Sequence, residues 1–407
     1  MKKILIINSG MYPVPAVKGG AVSQLIQLLL DSNEKFANFE LYVFSRFDDK
    51  AKLSSKKYIH THFIFVDLNS FKAKIWNQWV KIYNRLFFKS NGYLIEDFFA
   101  YSAVKFIEEH KEIGINAVLV EGVSQYAGYL KHKTGLPIIQ RIHNVPRNNK
   151  DMFTKINAQS TDMYLGISKY ICNVLKSYEG RYCKRIELLY NSINFSIFQQ
   201  DLNVEEKEKL QQKLKIQEND FVILYTGRLQ EYKGIKELLL AFEKFSSDKN
   251  NVKLLIIGSF WFSSKEISAY EKSLQKIIRR NENKIIQTGF IPNDKLFQYY
   301  KIADICSFPS IWQEPFALTC LEALVCGKPV VITKSGGMQE VADETCSFMV
   351  NIDNNIISNL AIAFEKLYSD QSLRIEMGKK AIKRAELFNP TLQYHSFSKL
   401  INIITEQ

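Results

Sequence analysis

The strongest constraint on this chain is a repeated alternation: short runs rich in Ile, Val, Leu and Phe are separated by longer amphipathic segments. A run that is apolar at every position belongs to a strand buried on both faces, and amphipathic helices between such strands make a parallel sheet. The runs form two series. The first comprises Ile4 to Ile7, Leu41 to Phe44, Phe63 to Val66, Ala117 to Val120, Pro137 to Gln140 and Tyr164 to Ile167. The second comprises Phe221 to Thr226, Lys253 to Ile257, Lys284 to Thr288, Ile305 to Phe308, Val330 to Thr333 and Phe348 to Val350. Each series supports one Rossmann-like half. A chain of 407 residues also exceeds what one hydrophobic core usually holds, which predicts two domains. Asn191 to Gln217 is polar and ends in a charged helical run, so the boundary is expected near residues 195–203.

Composition narrows the function classes. With 46% hydrophobic and 24% charged residues the chain is an ordinary globular sequence. Met1-Lys2-Lys3 followed by Ile4 to Ile7 starts like a secretory leader, but the apolar run stops at Asn8. A leader core needs about 7 to 15 apolar residues and a spanning helix about 20, so Ile4 to Ile7 reads as a buried first strand and the protein as cytoplasmic. Cysteines 172, 183, 306, 320, 326 and 346 show neither a C-x-x-C pair nor metal-ligand spacing with His, so they read as small buried apolar residues. A net charge of +12 suits nucleic acid, an anionic membrane or anionic small substrates, and charge alone does not choose. No RNA- or DNA-binding motif accompanies it, and no nucleic-acid partner is expected.

The chemistry-bearing residues lie where strands run into helices. In Pro309 to Val341 the sequence is P-S-I-W-Q-E-P-F-A-L-T-C-L-E-A-L-V-C-G-K-P-V-V-I-T-K-S-G-G-M-Q-E-V. Pro315 keeps Glu314 out of the α region, and Ala317 to Val325 then reads as a helix stopped by Gly327 and Pro329. The first amides of that helix have no intrahelical partner and can face an anion, while Glu322 sits about a turn further on. Upstream, the strand Phe221 to Thr226 feeds Gly227-Arg228-Leu229-Gln230-Glu231-Tyr232-Lys233-Gly234, in which two cations bracket a loop. Arg228 and Lys233 can neutralise a diphosphate without a metal, and no D-x-D occurs anywhere in the chain.

The first half offers fewer such residues. Gly19-Gly20 follows strand one and opens a helix, a place where backbone amides can approach a phosphate; G-x-G-x-x-G is absent. Gln140-Arg141-Ile142-His143-Asn144 brings His143 out at a strand's carboxyl end, where open α/β sheets bind ligands. Glu121 also ends a strand, and either lines the site or caps a helix. Between Asp67 and Glu96 there is no acidic residue, while Lys72, Lys74, Lys81, Arg85 and Lys89 are basic. Ile75, Trp76, Trp79, Ile82, Tyr83, Leu86 and Phe87 recur there at helical spacing, which fits either an anionic bilayer surface or a core-facing helix with a solvated basic back.

Together these segments resemble retaining glycosyltransferases of the GT-B fold, specifically glycosyltransferase family 4. The resemblance rests on G-R-L-x-x-x-K-G at Gly227 to Gly234, P-S-x-x-x-E-P-F at Pro309 to Phe316 and the spacing of Glu314 and Glu322. G-x-P-V-V at Gly327 to Val331 and S-G-G-x-x-E at Ser335 to Glu340 extend it, and K-G-G-A with R-I-H-N carries it more thinly into the first half. It implies two Rossmann-like α/β/α domains with parallel sheets facing across a cleft. Residues 1–197 would bind the acceptor and 198–385 the nucleotide sugar, and 386–407 would form a helix crossing back to the first domain.

The implied roles follow residue by residue. Glu322 accepts the ribose hydroxyls. Arg228 and Lys233 hold the diphosphate. Glu314, with the amides of Phe316, Ala317 and Leu318, reads the donor sugar. Gly19 and Gly20 approach the phosphate, and His143 contacts the sugar near the reacting carbon. The donor is a nucleotide-diphosphate sugar, expected to be a UDP-sugar, and neither metal nor cofactor is implied. The acceptor is a saccharide, expected to be lipid-linked as in bacterial surface polysaccharide synthesis. The basic aromatic stretch and the excess of positive charge, and not the resemblance, add the expectation of peripheral contact with the inner face of the plasma membrane through Lys72, Lys74, Trp76, Trp79, Lys81 and Arg85, with core packing as the alternative. A nucleotide-sugar epimerase, a phosphorylase and a non-catalytic sugar- or membrane-binding protein share the fold and are the alternatives. Two positions depart from the family's habit: Ser192 replaces a glycine in Asn191-Ser192-Ile193-Asn194, and Ala317 follows E-P-F where glycine is common.

Overall fold

Every strand expected from the apolar runs is present, because each run is long enough to be buried yet too short to complete a helix. In the computed structural model, residues 1–91, 95–146, 152–179, 185–259 and 268–406 are described. The side chains of Phe87 and Lys89, and all of Cys183, lie outside them. The chain divides into two units, the first made of Met1–Ser192 with Pro390–Gln407 and the second of Ile193–Asn389.

The first unit contains β1 (Lys2–Ile7), β2 (Phe39–Arg46), β3 (Thr61–Val66), β4 (Ala117–Glu121), β5 (Ile138–Ile142), β6 (Met163–Gly166) and β7 (Ile186–Leu188). They form one parallel sheet in the order β3-β2-β1-β4-β5-β6-β7. Alternate residues of β1 enter different cores, Ile4 and Ile6 on one face and Leu5 and Ile7 on the other, which is why the run is apolar throughout. The helix Ala21–Phe36 and the terminal helix Pro390–Thr405 lie over the Ile4 face. Tyr394, Phe397, Leu400, Ile401 and Ile404 are all buried in it, at roughly 1.5 to 3 kcal/mol for each large apolar side chain. Tyr394 also donates to Asn33 Oδ1 at 2.6 Å, so burial and one buried hydrogen bond together seat this helix.

The second unit contains β8 (Phe221–Thr226), β9 (Val252–Ile257), β10 (Ile285–Gly289), β11 (Ile305–Phe308), β12 (Val330–Thr333) and β13 (Ser347–Val350). Its parallel sheet runs β10-β9-β8-β11-β12-β13. Both units are thus parallel-sheet, Rossmann-like domains with helices interleaved. In each, sequence order reverses beside the first strand, at β1/β4 and at β8/β11. Loops leaving the carboxyl ends of strands separate at such a reversal, opening a crevice for ligands. The loops holding Gly19-Gly20 and Arg228-Lys233 leave these two strands.

Candidate active site

In the second unit every residue of β8 is buried, and the chain leaves it through Gly227 into a short 3-10 turn, Glu231–Lys233. Gly234 closes that turn at φ 69°, and a Cβ there would lie 1.8 Å from the Pro309 carbonyl oxygen. Only glycine lets the turn come so close to the end of β11, and Ile311 N–H donates to Tyr232 O at 3.0 Å across the same approach. The consequence is a contact between two motifs distant in sequence: Lys233 Nζ lies 2.5 Å from Glu314 Oε1.

Glu314 is non-helical, as Pro315 requires, and buried. Ser310 Oγ and Trp312 Nε1 donate to the same Oε1, at 2.5 Å and 2.8 Å. Three donors therefore converge on one carboxylate oxygen. The tilted rings of Tyr232 and Trp312 flank Lys233, whose Nζ is 5.6 Å and 5.5 Å from their centroids. The S-G-G turn fixes the loop from the other side: Glu314 N–H donates to Ser335 Oγ at 3.1 Å and Gly337 N–H to Glu314 O at 2.7 Å.

The helix Leu318–Val325 begins one residue later than expected, with Ala317 as its N-cap. Leu321 N–H makes the first helical bond, to Ala317 O. The amides of Ala317 and Leu318 lie ahead of it, where no intrahelical carbonyl can reach them. Phe316 is buried, its ring edge-on to Phe388 at 5.6 Å. Glu322 is buried on this helix, accepting from Tyr300 Oη at 2.8 Å and Asn293 Nδ2 at 3.4 Å. Burial outweighs both bonds and pushes its carboxyl up to about 7. Tyr300 Oη is also 2.6 Å from Thr226 Oγ1, which ties Glu322 to the end of β8. Arg228 is exposed on the β8 loop, and its carbonyl accepts from the Tyr225 hydroxyl at 2.9 Å. That hydroxyl is buried and resists ionisation, with Glu314 adding to the resistance and Arg228 opposing it, so both charges act in one neighbourhood.

In the first unit Gly19 and Gly20 have φ of 75° and 90°, and Gly20 is the N-cap of Ala21–Phe36. A Cβ on Gly20 would lie 2.9 Å from Tyr12 Cδ2, whereas one on Gly19 would meet nothing within 4 Å, so the backbone is open to approach at Gly19. His143 follows β5 and is buried, its Nε2 2.6 Å from Glu121 Oε2. The β4/β5 register pairs Glu121 with Arg141, whose Nη1 is 3.7 Å from Glu121 Oε1 and whose Nη2 donates to Asn191 Oδ1 at 2.9 Å. Glu121 thus neither caps a helix nor stands alone.

Burial opposes the Glu121 charge, but Arg141 and His143 outweigh it and hold the carboxyl below its ordinary value. Burial, with the Arg141 charge adding to it, holds the His143 imidazole below its ordinary value despite the Glu121 carboxylate. A neutral imidazole beside a carboxylate carries its proton on Nε2, which leaves Nδ1 as an acceptor. Nδ1 is buried and has no hydrogen-bond partner among the described residues. Ser192 adopts an ordinary negative-φ backbone, so no glycine is needed there.

Sequence reasoning reached Glu314, Glu322, Lys233 and His143 but missed Ser310, Trp312, Ser335, Tyr300, Arg141 and Asn191 as their partners. The P-S-x-x-x-E spacing already contained Ser310; Tyr300 carried no signal. Among the described residues no group of three or more His, Cys, Asp or Glu side chains could hold a metal ion, and no helix is long and apolar enough to cross a membrane.

Residues 206–384 match the family model of Glycosyl transferases group 1. They hold Arg228, Lys233, Glu314 and Glu322. The chain is 30% identical over 225 residues to the uncharacterized glycosyltransferase MJ1607 of Methanocaldococcus jannaschii, covering 52% of this chain and 55% of that protein. It is 34% identical over 135 residues to the lipopolysaccharide 1,2-N-acetylglucosaminetransferase of Salmonella typhimurium, covering 33% of this chain and 35% of that one. The matched stretches thus span about half and about a third of these relatives. Among solved structures, Anabaena Alr3699/HepE in complex with UDP superposes with a TM-score of 0.73 at 17% identity, covering 99% of this chain and all of the other. At that identity the likeness establishes the fold, that of GT-B glycosyltransferase structures.

Proposed function

We propose that the protein is a retaining, metal-independent glycosyltransferase of family 4 that moves a sugar from a UDP-sugar to a lipid-linked saccharide in surface polysaccharide or glycoconjugate synthesis. The observation that carries the reading is the Lys233–Glu314 contact beside the start of the helix bearing Glu322. Lys233 is then the cation that passes from Glu314 to the diphosphate when the donor binds, with Arg228 as the second. Negative charge grows on the diphosphate as the anomeric bond breaks, and cations already in place lower that barrier.

Glu322 takes the ribose hydroxyls. Glu314 and the amides of Phe316, Ala317 and Leu318 read the sugar. Gly19 and Gly20 offer backbone to the phosphate, and the Nδ1 of His143 accepts from a sugar hydroxyl. No protein nucleophile is assigned: the acceptor attacks the face that the diphosphate leaves, and a diphosphate oxygen takes the acceptor proton. Support for the donor comes from the solved UDP complex of Alr3699/HepE, and for the acceptor class from the lipopolysaccharide relative. A lipid-linked acceptor places the work of the protein at the inner face of the plasma membrane, as a peripheral protein.

The test is a thermal-shift screen of nucleotide sugars followed by product analysis with lipid-linked acceptors. UDP-sugars are expected to raise Tm, and the product to keep the donor's anomeric configuration. An epimerised donor formed without acceptor, or an inverted product, would sink the assignment.

A further inference from the structure

The helix Phe71–Asn91 of the first unit is not used by the donor-site reading, and its faces are sorted by chemistry. At ~100° per residue, Phe71, Ile75, Trp79, Ile82 and Leu86 fall within an arc of about 80°. All five are exposed, Phe71 at 77%, Ile75 at 51%, Trp79 at 43%, Ile82 at 62% and Leu86 at 67%. The opposite arc holds the helix to its unit. Ala73 and Val80 are buried there, Trp76 Nε1 donates to Glu96 O at 3.1 Å, and Asn77 Oδ1 accepts from Phe98 N–H at 2.8 Å. Asn84 exchanges two hydrogen bonds with the Ile95 backbone, at 2.7 Å and 3.0 Å. Trp76 also stacks on Tyr101 at 3.8 Å, so of the two tryptophans only Trp79 presents itself outward.

The basic residues border the apolar stripe. Lys72 flanks one edge; Lys74, Lys81 and Arg85 flank the other, and all four are exposed. No acidic residue occurs from 68 to 95. An exposed apolar stripe with cations on both margins is complementary to a surface whose interior is hydrocarbon and whose face is anionic. A second protein chain would require matching carboxylates beside an apolar groove, and an exposed stripe of this size otherwise costs solubility.

We propose that this helix lies in the plane of an anionic bilayer, with Phe71, Ile75, Trp79, Ile82 and Leu86 in the acyl boundary and Lys72, Lys74, Lys81 and Arg85 at the headgroups. The inward arc stays bonded to segment 95–98, so docking needs no unfolding. The inference draws on the proposed function only for the lipid-linked acceptor; the surface itself is independent of the donor site.

The full-length protein is sedimented with vesicles of phosphatidylcholine alone and of phosphatidylcholine with phosphatidylglycerol. Binding is expected to the anionic vesicles and to weaken as salt screens the headgroups. Ile75→Glu/Ile82→Glu should reduce binding at least tenfold while Tm and UDP-sugar affinity stay unchanged, because both side chains are exposed and neither belongs to the proposed donor site. That pairing separates this inference from the donor reading: loss of nucleotide binding in wild type would sink the latter alone. Brominated lipid should quench fluorescence in wild type and Trp76→Phe, but much less in Trp79→Phe. Equal binding to neutral and anionic vesicles, an unaffected Ile75→Glu/Ile82→Glu variant, or a wild-type dimer that this variant disperses would each overturn the inference.

Discussion

The two units each place a carboxylate beside a cation near the carboxyl ends of their strands, and they build the pair in opposite ways. In the first unit Glu121 and Arg141 face each other in the regular register of β4 and β5, sealed from solvent, with His143 completing the set. In the second, Lys233 and Glu314 come from two loops, and Lys233 keeps 22% of its side chain exposed. The sheet-built set has orphaned buried atoms, Glu121 Oε1 and Arg141 Nη1 and Nε among them, whereas the loop-built carboxylate is served by three donors on one oxygen. A charge set inside a sheet is fixed scaffolding for the imidazole it holds. A pair made by loops can exchange partners: Ser310 and Trp312 would still serve Glu314 if Lys233 turned to the donor diphosphate as proposed.

The largest expected effect breaks the sealed set. Arg141→Leu strands the Glu121 carboxylate in the interior and should lower stability by about 3 to 5 kcal/mol in urea unfolding. The double variant Glu121→Leu/Arg141→Leu should recover much of that loss. A single variant within about 1 kcal/mol of wild type would show that the set is not sealed. Lys233→Ala is the counterpart in the second unit. It should change stability by less than about 1 kcal/mol yet reduce transfer roughly 100- to 1,000-fold and weaken nucleotide binding. Wild-type turnover in both Lys233→Ala and Glu322→Gln would refute the donor-site map.

The same contrast explains what could be read in advance. Apolar runs located twelve strands because a strand buried on both faces tolerates almost nothing else. β7, Ile186-Glu187-Leu188, was missed because it is a three-residue edge strand, only half-buried and interrupted by a charge. Lys233 and Glu314 were each legible, because Gly234 and Pro315 punctuate their loops, but their contact was not, since it depends on how the two loops meet. The sheet-built set was not legible either, since pairing Glu121 with Arg141 depends on the register of two strands, which neither strand encodes alone. Tyr300 was invisible for a related reason: it reaches Glu322 from a neighbouring helix, Asn293–Ile302, whose own periodicity marks it only as a core tyrosine.

A smaller effect comes from pH. Burial raises the Glu322 carboxyl from 4.5 to about 7, so the folded state holds this proton over a range in which the unfolded chain has lost it. The stabilisation is complete below pH 4.5, falls as pH rises through 7 and is constant above. Relative to Glu322→Gln, which cannot titrate, wild type should therefore lose roughly 3 kcal/mol between those limits in unfolding measured at a series of pH values. A carboxylate accepts ribose hydroxyls better than the neutral acid does. UDP-sugar affinity, whose doubly esterified diphosphate does not titrate in this range, should accordingly rise from pH 6 to 8 in wild type and stay level in the variant; parallel profiles would place the nucleotide elsewhere.

The smallest effect tests how finely the loop-built site is shaped. Ala317 is buried as the N-cap of the helix Leu318–Val325, at φ −96° and ψ 88°, a conformation that does not require glycine. Its methyl group stands among the amides proposed to read the sugar. Ala317→Gly keeps those amides and removes only the methyl, and it should cost less than about 1 kcal/mol of stability, chiefly through unfolded-chain entropy. If the methyl limits which hydroxyl orientations fit, the variant should widen donor choice by up to about tenfold in relative kcat/KM among UDP-hexoses, since one methylene-sized gap is worth about 1 to 3 kcal/mol of discrimination at most. An unchanged donor ranking would move the selecting contact away from the helix start and onto Glu314, whose three-donor environment would then be the next place to vary, beginning with Ser310→Ala.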